Sequence, residues 1–134
     1  MSAADKKNVA DTWSAAYKDW DSKNGVAFYT RMFANHPKIK AAFVNSDIKT
    51  QSGLFGQMVQ SWMENLDNAG TLDQKISGMC ASHKKRGQTD MGLFKDALTE
   101  LASFIADTVG MSGDQQTSWQ KINEVILDMM KTKF

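Results

Sequence analysis

A single proline, Pro37, in 134 residues leaves nearly the whole chain free to be helical, because proline breaks helix interiors. Strand signals are nearly absent. No stretch alternates apolar and polar residues between tight two-residue turns, and the one Asn-Gly pair, Asn24-Gly25, lies in a helical context. The chain is therefore expected to be all-α.

Six segments carry helical spacing. Ser2 with Asp5 caps the first, in which Val9, Trp13, Ala16 and Trp20 recur at helical intervals. A second runs from about Lys23 to Asn35, with Val26, Tyr29, Met32 and Phe33 on one face, and Pro37 ends it. A turn through Lys38 to Phe43 follows. The third starts near Ser46 and carries Gln51, Phe55, Met58, Trp62 and Leu66. Thr71 to Gln74 reads as a capping box opening the fourth, whose stripe is Leu72, Ile76, Met79 and His83, with Gly87 placed to end it. The fifth follows Asp90 through Phe94, Leu98, Leu101 and Ile105, and a Ser112–Gln115 box opens the last.

Sixteen Lys and Arg against 15 Asp and Glu create no net field toward nucleic acid or an anionic membrane. No apolar run approaches the roughly 18 residues of a membrane span, and the N-terminus lacks a hydrophobic signal region. One domain spanning 1–134, located in the cytoplasm, is the expectation. The lone cysteine, Cys80, forms no intrachain disulfide.

Tyr29, Gln51 and His83 stand out because each occupies a core-facing slot in an otherwise apolar stripe. Burying such a group without a partner costs about 1–3 kcal/mol. His83 reads either as a core histidine bonded to a carbonyl or as an axial metal ligand, since a neutral imidazole donates one nitrogen to a metal. Its other nitrogen then needs an acceptor, for which the Ser82 hydroxyl and the Met79 carbonyl are candidates. Cys80 and His83 have half-zinc-site spacing but no second pair. Tyr29 and Gln51 read either as an edge tyrosine and an exposed helix-start amide, or as two donors sharing one pocket.

These residues resemble the globin family over almost the whole chain. Trp13 is similar to the tryptophan of the first globin helix. Tyr29 to Pro37 and on to Phe43 resembles the second helix, the proline corner and the haem-stacking phenylalanine. Ser82 to Gly87, followed by Phe94, resembles the proximal histidine and the start of the next helix. Two departures are visible: the loop before the distal helix is shortened, and the stretch from Gln51 to His83 is about three residues long in excess, placed around Asn68, Ala69 and Gly70. The resemblance implies a globin-like helical sandwich and non-covalent haem b, since no C-x-x-C-H is present. It makes His83 the iron ligand, with Phe43, Phe55, Met79, Phe94 and Leu98 around the haem and Val44, Leu54 and Ile126 completing the apolar wall.

The same resemblance replaces the distal histidine by Gln51. Tyr29 with Gln51 then resembles the Tyr/Gln pair of invertebrate nerve and tissue haemoglobins and myoglobins, which accompanies high O₂ affinity. Two neutral hydrogen bonds of roughly 0.5–1.5 kcal/mol each slow ligand release by about five- to a hundredfold. The implied function is reversible O₂ storage or transport, with CO and NO as further ligands, and not enzymatic. A peroxidase or nitric-oxide dioxygenase of the same fold is the alternative, and a haem-free helical interaction module is a third reading.

Overall fold

The computed structural model describes all 134 residues, and every regular element is a helix. In chain order they are α1 (Ala3–Tyr17), a π-helical turn (Trp20–Asn24), α2 (Gly25–Asn35), α3 (Pro37–Ala41), α4 (Ile48–Met63), α5 (Ala69–Lys85), α6 (Met91–Val109) and α7 (Gly113–Lys131). None is long and apolar enough to cross a membrane.

Local chemistry explains the boundaries. Ser2 and Asp5 form a full capping box on α1, each side chain accepting from the other's backbone N–H at 3.1 Å. Ser112 and Gln115 do the same for α7. Asp47 and Asp90 cap α4 and α6. Gly87, at φ +71°, takes the left-handed turn that leaves α5.

Three expectations need correction and one boundary is sharpened. The first helical stripe does not continue to Trp20: α1 stops at Tyr17, and the Asn24 carboxamide donates 2.9 Å to the orphaned carbonyl of Ala16 while a wider π turn brings Trp20 inward. Pro37 does end α2, but it also opens α3 at a first-turn position where its missing N–H is harmless, so the anticipated turn is a short helix. The third main helix begins at Ile48, close to Ser46 as expected, and no helix separates it from Ala41, in keeping with the shortened loop. Finally, Thr71 opens nothing. Asn68 is the cap, its carboxamide oxygen accepting from Thr71 N–H at 3.1 Å, and the extra residues Ala69 and Gly70 are the first of α5.

The core is one cluster of 21 buried apolar residues. Within it α1 packs along α7 and against α4 and α6, α2 crosses α4, and α6 lies along α7. All four tryptophans are buried, and three indole N–H groups tie helices together. Trp13 donates to the Gln60 carboxamide (2.9 Å), Trp20 to the Ser52 carbonyl (2.7 Å) and Trp119 to the Thr12 hydroxyl (2.7 Å). The fourth, Trp62, is the one buried side-chain donor without a partner.

Asp5 joins α1 to α7 as well, accepting from the Ser118 hydroxyl at 2.8 Å and facing Lys121 at 3.4 Å. The Ser118 and Ser2 bonds hold its carboxyl well below the ordinary value of 3.8. A depressed acid contributes stability above its unfolded value and loses it as pH falls. Asp5→Asn is therefore expected to lower the urea midpoint at pH 7, with the gap to the parent closing progressively as pH drops below 3.8. A gap that stays constant with pH would assign the clasp to shape alone.

Candidate functional site

Spacing within two helices makes the main cavity. Gln51, Phe55, Met58 and Trp62 fall on one face of α4, and Lys75, Met79 and His83 fall on one face of α5. These faces border a cleft of about 570 Å³, closed by residues of α2, α3 and α6 and lined mostly by apolar side chains.

His83 sits in the last turn of α5 and is partly buried. Its Nδ1 is 2.8 Å from the Met79 carbonyl, and a carbonyl only accepts, so Nδ1 carries the proton. Met79, and not Ser82, is the acceptor that orients the ring. Nε2 is left with its lone pair. Burial pushes the imidazole below its usual 6.5, outweighing the Met79 bond, and Arg86 adds to the effect, so the ring is neutral at pH 7. Phe94 meets it edge to face, with centroids 5.1 Å apart, and itself stacks on Phe134.

Tyr29, on α2, also borders the cleft and is 3% exposed. Burial alone raises its phenol well above the ordinary value, with no hydrogen bond to the hydroxyl contributing, so the O–H stays protonated and available. Phe33, Phe43 and Phe55 all meet its ring edge-on at 5.6–5.9 Å. Gln51, in the first turn of α4, also lines the cleft.

Phe55 borders the cleft and also stacks on Phe28 at 5.3 Å and on Trp20 at 6.2 Å, joining the cleft wall to an aromatic layer.

All eight residues singled out as cofactor or ligand contacts (Tyr29, Phe43, Gln51, Phe55, Met79, His83, Phe94 and Leu98) line this one cleft. Leu54 does too. Two wall residues do not: Val44 is 79% exposed, on the turn after α3, and Ile126 is 2% exposed in the core. Val44 faces outward, and Ile126 packs in the core. Sequence reasoning put Met32 on the apolar face of the second helix without assigning it to the cleft, and missed Ile39 and Met130, whose burial comes from helix crossing. Cys80 is buried and off the cleft, and no group of three metal-binding side chains exists, so Cys80 and His83 build no zinc site.

The donor set suits a flat, largely apolar ring carrying a metal that takes one neutral nitrogen. Nε2 is the free ligand atom, aromatic and thioether side chains supply the walls, and Tyr29, its phenol protonated, borders the same space.

Phe55→Leu removes ring contacts to Trp20, Phe28 and Tyr29, each worth about 0.5–1.5 kcal/mol beyond area. A loss of about 1–3 kcal/mol in urea unfolding is expected, and a neutral effect would mean the layer does not bear on stability.

Residues 26–130 match the family model described as Globin. Globin-1 of Phreagena soyoae is 38% identical over 140 residues, covering 100% of this chain and 97% of that protein. Globin-2 of the same organism is 37% identical, covering 98% and 96%. Among solved structures, ferric Aplysia limacina myoglobin superposes with a TM-score of 0.86 at 19% identity, covering 99% of this chain and 98% of that one.

Proposed function

The chain belongs to the globin family, and we propose that it holds haem b non-covalently through His83 and binds O₂ reversibly, for storage or transport. The observation that carries this reading is the His83 ring, with Nδ1–H committed to Met79 and Nε2 left free beside an apolar cleft. Ferrous haem supplies the metal atom at which a diatomic gas binds and leaves without net oxidation.

The chain's own residues do the rest. Met79 fixes the tautomer and tilt of the proximal imidazole, and Phe94 limits its rotation. Phe43, Met79, Phe94, Leu98 and Phe55 would offer the haem an apolar wall that disfavours water. Tyr29 and Gln51 offer neutral donors to a ligand that carries partial negative charge, and in a dry pocket such bonds strengthen. O₂ is held more firmly in this way than the less polar CO, and NO enters the same site. High O₂ affinity follows from the pair. In this reading the whole chain, 1–134, is one such domain, working in the cytoplasm.

The peroxidase alternative needs a distal acid/base near the working pH. Gln51 does not titrate, and the Tyr29 phenol is pushed further from neutrality by burial. Nothing at the cleft favours that chemistry over gas binding.

The protein, reduced and exposed to O₂, is expected to show a Soret band that shifts and returns on deoxygenation. Tyr29→Phe keeps the ring contacts and removes the donor. Stopped-flow measurement is expected to give O₂ dissociation about two- to tenfold faster, the worth of one neutral hydrogen bond. An unchanged rate would show that the hydroxyl does not reach the ligand.

A further inference from the structure

Trp20 lies outside the cleft, yet the structure builds an unusual amount around its indole. The nitrogen donates 2.7 Å to the backbone carbonyl of Ser52, a buried contact between segments 32 residues apart. Two glycines leave room for the ring. A Cβ on Gly56 of α4 would stand 2.4 Å from the indole nitrogen, and one on Gly25 of α2 would stand 2.8 Å from it. Real Cβ atoms do not approach that closely, so the slot between α2 and α4 is shaped to this side chain. The π-helical turn holds the other end: Gly25 N–H bonds to the Trp20 carbonyl, and Asn24 is tied to Ala16.

The bond lands at a consequential place. Ser52 follows Gln51 directly, in the opening turns of α4, where a helix is least secured by its own ladder. One turn further, Phe55 stacks on the same indole and reaches Tyr29 edge-on. The two donors attributed to the cleft are thus each one step from Trp20, Gln51 through the backbone and Tyr29 through Phe55.

We propose that Trp20 is a positioning residue for ligand discrimination, its indole N–H pinning the Ser52 carbonyl so that Gln51 and Phe55 keep a fixed register against the cleft. This rests on the gas-binding reading for its functional effect, but not for its effect on α4. A pinned α4 keeps the Gln51 carboxamide near the ligand. Releasing it lets the opening turns fray and the donor swing outward.

The test compares Trp20→Phe with Trp13→Phe. Trp13 also donates its indole N–H to α4, but to the Gln60 side chain, more than two turns further along and away from the cleft, and its ring packs on Trp20 at 5.1 Å. Both variants lose one indole bond and part of the same aromatic layer, so a role in packing alone moves both, while only Trp20→Phe frees the Ser52 backbone carbonyl. Amide hydrogen exchange across 51–55, followed by mass spectrometry, is expected to quicken at least about threefold in Trp20→Phe and to stay within twofold of the parent in Trp13→Phe. O₂ dissociation is expected to rise about two- to tenfold in Trp20→Phe only, with the CO rate moving less. In a Gln51→Leu background the Trp20 effect on O₂ should shrink, because the group being positioned is gone.

Equal exchange and equal ligand rates in the two variants would overturn the proposal. Should the parent fail to bind O₂, the exchange comparison still decides whether Trp20 secures α4, and only the gas-binding reading falls. Should Trp20→Phe not fold, Gly56→Ala displaces the indole from Ser52 and is expected to give the same local exchange signature. Its absence would count against the proposal.

Discussion

An imidazole placed against an apolar cleft has one proton to give and one lone pair to offer, and the Met79 carbonyl settles which nitrogen does which. The 2.8 Å bond at Nδ1 costs little to make, since Met79 and His83 are four residues apart on the same helix and meet by geometry alone. Its consequence is large. Nε2 becomes the imidazole nitrogen with a free lone pair at the cleft, and burial favours the neutral ring at neutral pH. Everything attributed to the cavity depends on that single assignment of proton and lone pair.

A cleft with apolar walls also has to resist collapse, because closing it would bury the same surface without any guest. Here the resistance comes from behind. Indole bonds fasten α4 to α1 and to the π turn, while α7 is fastened to α1 by Trp119 and by the Asp5–Ser118 pair. The aromatic layer of Trp13, Trp20, Phe28 and Phe55 fills the space behind the cleft and gives its far wall a rigid backing. α4 and α5 meanwhile touch each other sparingly, so the space between them stays open. Rigidity on one side and vacancy on the other are two outcomes of the same packing.

Much of this was legible in the chain, for identifiable reasons. Caps with short-range chemistry, such as Ser2–Asp5, Asp90 and Ser112–Gln115, need only neighbours in sequence and formed as expected. Polar residues on greasy stripes marked the cleft, and Tyr29, Gln51 and His83 do border one cavity. The failures share a cause. Thr71 had the right spacing for a box, but Asn68 captured its N–H first. Trp20 fits a helical stripe arithmetically, although a π turn is what seats it. Val44 and Ile126 were apolar in the right register, and only the crossing of helices decides that one faces outward and the other the core. The glycine slot around Trp20 was invisible as well, because Gly25 and Gly56 are far apart until α2 crosses α4.

The most direct test of the central claim is haem binding by His83→Gly, followed by visible spectroscopy with and without added imidazole. Removing the side chain should abolish the spectrum of a nitrogen-ligated haem, and free imidazole, entering the space vacated by the ring, should restore it. A variant whose spectrum matches the parent without imidazole would contradict the assignment of Nε2 as the atom that holds the metal.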